Sequence, residues 1–147
     1  MYFWNINALK NDIKENNFKD KEAFPYILFT IGFYLILIEM MSFDCYYIEN
    51  IWDKILIGID IIVPIAGMIY AYKQNGGENG VDFANKYFSI SFVMTIRFFV
   101  YITPLMILLL FLGYESVSTT SIEVAFLAVV QILFYFYIVK HIKDVAR

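Results

Sequence analysis

The chain has 147 residues, of which 61% are hydrophobic and 20% aromatic, with a mean hydropathy of +0.63. Soluble domains are about half apolar, and a core this small cannot hide that much apolar surface from water. A net charge of −3 gives no basic field, which argues against nucleic acid as a partner, and a single cysteine (Cys45) and a single histidine (His141) leave no intramolecular disulfide and no structural zinc site.

Residues 1–23 mix Lys, Asp, Glu and Asn with scattered apolar positions and lack the basic start, apolar block and small-residue cleavage site of a signal peptide. No cleaved signal is expected. Within this head, Tyr2, Ile6, Leu9 and Ile13 recur at spacings of four, three and four, which predicts a short amphipathic helix lying on the inner leaflet.

Four uncharged or nearly uncharged stretches follow. The first span is 24–43, with Pro25 placed where a first helical turn tolerates proline and Glu39 near its far end. The others are 51–72, 87–113 and 121–140, each long enough to cross a hydrocarbon core of about 30 Å at about 1.5 Å per residue. The third, at 27 residues, must tilt or project. Transmembrane strands would alternate apolar and polar residues, and the run 101–113 does not. The expected fold is an all-α integral membrane protein, a four-transmembrane-helix bundle (24–140) with the amphipathic head (1–23) and a basic tail (141–147).

Lys10, Lys14, Lys19, Lys21, Lys73, Lys86, Lys140, Lys143 and Arg147 fall on one side of such an arrangement, while the opposite loops contain no Lys or Arg and only Lys54 lies near them. The positive-inside rule then puts both termini in the cytoplasm. Tyr26, Tyr70, Tyr72 and Tyr137 on the inner side, and Tyr46, Tyr47, Trp52 and Tyr114 on the outer, fit interfacial aromatic belts. Cys45 reads as a small apolar residue near a helix end.

The chemistry-bearing residues are few. Asp60 lies about 13 Å into span two from the outer end and Arg97 about 15 Å into span three from the inner end, so in antiparallel neighbours both approach the midplane. A lone charge there costs at least about 3 kcal/mol on insertion scales, which predicts an Asp60–Arg97 pair or a shared polar network with Tyr101, one turn above Arg97, and Gln131 in span four. Snorkelling of Arg97 toward the headgroups, or protonation of Asp60, are the competing readings. Asp53, Asp60, Pro64 and Gly67 share one stripe of span two that should meet another helix. Glu39, Asp53 and Glu123, with Lys54 among them, form an outer acidic rim, read as a solvated edge or a cation vestibule. The cytoplasmic loop Asn75, Gly76, Gly77, Glu78, Asn79, Gly80 leads to Asp82, a helix cap. It lacks the Gly-Lys-Ser/Thr ending of a P-loop, so turn chemistry is the simpler reading.

Four spans in a short chain are similar in number to those of small multidrug transporters. Their acid lies deep in the first span, whereas Glu39 lies near the end of this one, and that function is not carried over. No nucleophile beside a base, metal-ligand spacing or paired-carboxylate motif stands out, giving no case for an enzyme, a metal or a cofactor. Three functions fit what remains. One is a homo-oligomeric channel or membrane-disrupting effector organised around Asp60 and Arg97. A second is a non-catalytic scaffold or regulatory subunit in the bilayer, engaging a protein partner through its cytoplasmic loop and termini. The third is an ion-coupled small transporter using Asp60. The bias toward Ile, Phe, Lys, Asn and Tyr fits an AT-rich bacterial genome and hence the bacterial inner membrane.

Overall fold

A computed structural model describes residues 1–43, 50–111 and 119–146, with side chains at 37–43, 106 and 109–111 outside the description. Every regular element among these residues is helical: α1 Ile6–Lys14, α2 Asp20–Phe43, α3 Ile51–Gln74, a 3₁₀ turn Gly77–Asn79, α4 Phe83–Phe111 and α5 Ser121–Asp144. Among the described residues, three helical stretches are long and apolar enough to cross a membrane: Ile51–Gln74, Phe83–Leu105 and Ser121–Asp144. Cys45 and the expected outer-belt residues Tyr46, Tyr47 and Tyr114 lie outside the described residues.

Helix boundaries follow local chemistry. Both α3 and α5 begin with a capping box. Asn50 Oδ1 accepts the Trp52 and Asp53 amides while Asp53 Oδ2 accepts the Asn50 amide at 3.0 Å. Thr120 Oγ1 and Glu123 Oε2 repeat the exchange at α5. Each box satisfies donors that a helix start otherwise leaves orphaned. Helix α2 starts four residues before the expected span, so Pro25 falls in its second turn rather than its first.

The order of neighbours is the informative feature. Helices pack as a row in which α2 lies on α4, α4 on α5 and α5 on α3. In the first of these pairs Asp20 meets Asn85, Tyr26 meets Phe92 and Phe33 meets Phe99, a constant offset that makes α2 and α4 parallel. Helices α3 and α5 are also parallel: Asn50 Nδ2 donates to the Thr119 carbonyl at 3.0 Å, Asp60 meets Gln131, and Gly67 faces Tyr135. Helix α4 runs against α5, with Phe98 stacked on Phe134.

The core is concentrated at one end. Ile6, Leu9 and Ile13 of α1 are buried with Tyr26, Ala71, Ile90, Val93, Ile138 and Ile142, drawn from all four long helices. The apolar stripe expected to lie on the inner leaflet is thus turned into the helix bundle. Tyr26, expected in an interfacial belt, is fully buried, and its hydroxyl accepts the Tyr2 amide. Lys10 Nζ sits 2.9 Å from Asp144 Oδ2, so the beginning of the chain and the end of α5 lie at the same end of the bundle. The capped starts of α3 and α5 form the other end.

Outside that core the long helices bury little: only 6% of the most apolar window of α3 and 17% of that of α5 is buried. Ile57, Ile61, Ile62 and Ile65 are exposed along α3, as are Leu127, Ile132, Leu133 and Phe136 along α5.

Gly67 gives a direct test of the α3–α5 seam. A Cβ built there lies 2.5 Å from Tyr135 Cδ1, whereas one built at Gly32 meets nothing within 4 Å. Gly67→Val is expected to destabilise the fold by roughly 1–3 kcal/mol through overpacking, read as a lowered unfolding midpoint in detergent, with partial recovery in Gly67→Val/Tyr135→Ala. Gly32→Ala should leave the stability unchanged or raise it by up to about 1 kcal/mol.

Candidate functional site

Two polar clusters interrupt the apolar helices. In the first, Gln131 Nε2 donates to Asp60 Oδ1 at 2.5 Å. The two residues lie ten and eleven positions beyond their N-caps, Asn50 and Thr120, about 15 Å along parallel helices whose starts are tied together. Equal depth is a consequence of that tie. Asp60 is exposed at the surface of the subunit, while Gln131 is half-buried and its Oε1 has no donor among the described residues. A carboxylate and an unmet carbonyl acceptor side by side make an electronegative spot, suited to a cation, a proton or a donor from another chain.

The second cluster surrounds Arg97. Its Nε and Nη2 donate to the Trp4 carbonyl at 2.9 and 2.5 Å, and its guanidinium carbon lies 5.4 Å from the centre of the Trp4 ring. Trp4 in turn packs against Tyr101 with ring centres 6.1 Å apart, and Phe3 meets Phe92 edge-on. The segment before α1 therefore runs along α4 and supplies Arg97 with a backbone acceptor and an aromatic face.

The expected Asp60–Arg97 pair is absent as a direct ion pair among the described residues. Its premise was that consecutive helices are neighbours, whereas the partner of α3 is α5, so Asp60 meets Gln131. Tyr101 sits with Arg97 through Trp4 and is 70% exposed, and the four residues form two clusters in place of one network. The stripe of α3 does meet another helix: Asp60 and Gly67 both face α5.

The outer acidic rim has a different use from a vestibule in two of its members. Asp53 is buried and Glu123 half-buried, and each carboxylate holds a helix cap. The side chain of Glu39 lies outside the described residues, and Lys54 is exposed. The pattern Asn50-x-x-Asp53 and Thr120-x-x-Glu123 was readable as a pair of capping boxes.

At the opposite end the loop is a built turn. Asn75 is fully buried as the C-cap of α3; its Oδ1 accepts Lys86 Nζ at 3.1 Å and its Nδ2 donates to the Val81 carbonyl at 3.3 Å. Gly76 has φ +107°, a left-handed conformation that a side chain rarely adopts, and Gly77 opens the 3₁₀ turn that closes at Gly80. The Gly76 amide donates to the Lys73 carbonyl of α3, and those of Asn79 and Gly80 to the Gly76 and Gly77 carbonyls, so they do not converge on an anion. Asp82 precedes α4, its carbonyl accepting the Lys86 amide at 3.1 Å. At the head of the chain, the Tyr2 hydroxyl donates to Asp12 at 2.6 Å, and this bond holds the phenol pKa above its usual value.

No known protein family matches the sequence, and comparisons with curated proteins and with solved structures return no match.

The Asp60–Gln131 bond is testable through its coupling. In a cycle of Asp60→Ala, Gln131→Leu and the double variant, unfolding in detergent should show a coupling of about 0.6–1.7 kcal/mol, the range found for polar pairs between membrane helices. Additive effects would mean that the two side chains do not support one another.

Proposed function

We propose that the chain is a small homo-oligomeric multi-span membrane protein, with four spans and both termini in the cytoplasm, whose Asp60–Gln131 pairs face one another across subunit contacts and line a cation path. The observation that carries this reading is the exposure of Asp60 halfway along an apolar helix. Isoleucines surround it on α3, so the face is built for an apolar environment, yet a carboxylate at such depth costs about 3 kcal/mol or more unless water or polar groups receive it. A second copy presenting the same face supplies both. Contact between identical faces is the isologous arrangement favoured in small oligomers.

Two further features support the assignment. The parallel seam of α3 and α5 carries its polar groups at one depth, so symmetry turns one pair into a ring or a facing set. The end that gathers α1, the 75–82 loop and the end of α5 is also the end that collects the basic residues, which fits a cytoplasmic face. In this reading the chain is not an enzyme, and α2, where Leu28, Phe29, Ile31, Leu35 and Ile36 are exposed, is a span alongside α3, α4 and α5.

Purified protein in liposomes should conduct monovalent cations, and Asp60→Asn should cut or retune that conductance while leaving the mass of the oligomer in detergent unchanged. Well-folded protein that is silent in the bilayer, or that remains a single chain in detergent, would overturn the reading.

A further inference from the structure

The segment before α1 has two homes open to it. In the structure it lies along α4, where the Trp4 carbonyl takes two bonds from Arg97 and Tyr2 bonds Tyr26. Its α1 continuation inserts Ile6, Leu9 and Ile13 into the hydrophobic cluster that the long helices share. Yet Phe3 and Trp4 are 54% and 46% exposed, and α1 packs chiefly on a single helix, α4. The same stripe, with Trp4 and Phe3 beside it, has the composition of a helix that lies at a lipid–water interface. The turn at Asn16, with φ +58°, separates this unit from α2.

We infer that residues 1–14 are a switch between a docked seat in the bundle and a seat on the membrane surface, with the Arg97–Trp4 bond as the latch of the docked state. Arg97 suits this role because its hydrogen bonds fall on a backbone carbonyl, a neutral partner that leaves the guanidinium charge uncompensated by any carboxylate bond among the described residues. Release exchanges those bonds for water or lipid phosphate at Arg97 and exchanges the α1 packing for burial in the headgroup region. The docked seat is the favoured one, by a margin of the size the latch contributes, so loss of the latch shifts the population. Any consequence for conduction rests on the proposed cation path; the switch itself does not.

Thiol labelling in lipid nanodiscs, where both faces are open, with a reagent that partitions into the headgroup region, tests this in a Cys45→Ser background. Leu9→Cys, at a fully buried position, should label more slowly than Lys14→Cys, which is exposed. Adding Arg97→Gln should speed Leu9→Cys labelling by roughly tenfold to a hundredfold, the factor given by losing hydrogen bonds to a charged group. Val124→Cys, buried at the other end, should stay protected, which separates release of the switch from collapse of the fold. Should Leu9→Cys fold poorly, Ile13→Cys serves the same purpose. Equal labelling of Leu9→Cys and Lys14→Cys in the parent, or protection of Leu9→Cys unchanged by Arg97→Gln, would overturn the inference. In liposomes, faster labelling with altered conductance ties the switch to the cation path, and faster labelling of a non-conducting protein upholds the switch while removing the path.

Discussion

The fold turns on the parallel seam between α3 and α5. Two capping boxes start the helices at the same level, the Asn50 side chain ties one start to the other, and every later contact along the seam follows from that register. Asp60 reaches Gln131 because both stand a similar number of turns beyond their caps. Two turns further on, the absence of a side chain at Gly67 lets the Tyr135 ring approach the helix backbone. Shifting one helix by a turn, about 5.4 Å, would separate Asp60 from Gln131 and drive Tyr135 against a larger residue.

Packing is unequal along the helices, and the inequality has functional weight. At the end shared by the termini, α1 closes the space between the long helices with three aliphatic side chains, and Lys86 and Asn75 bond beneath it. Toward the capped end the helices present isoleucine, leucine and phenylalanine outward. In water that surface would drive aggregation; against lipid chains or a second subunit it costs nothing, and association is then governed by close packing and by the few polar groups available. Asp60 and Gln131 are the groups that such an association would use.

Much of the helical content was legible in the sequence. Long uncharged stretches fixed the positions of α3, α4 and α5, and the spacing of Ile6, Leu9 and Ile13 fixed the buried face of α1, because burial imposes the same period whether the covering surface is lipid or protein. The partners of the polar residues were not legible. Helices that are apolar on all sides carry no stripe that tells one neighbour from another, so the pairing of α3 with α5 over its successor α4 left no trace in hydropathy. Arg97 is bound by a main-chain carbonyl, an acceptor every residue carries, which no residue pattern can advertise. The acidic rim misled for the opposite reason: Asp53 and Glu123 were noticed for their charge, while the Asn50 and Thr120 that explain them stood three residues upstream.

The central claim is that the exposed face of α3 bearing Asp60 is covered by another copy of the chain within the membrane. In a Cys45→Ser background, a nitroxide on Ile61→Cys, an exposed position next to Asp60, reports on this through dipolar coupling between spins on different subunits in lipid vesicles. The account predicts a defined inter-subunit distance of no more than a few helix diameters, each about 10 Å, that vanishes on dilution with unlabelled protein. Absence of any inter-subunit coupling in fully labelled protein would contradict it.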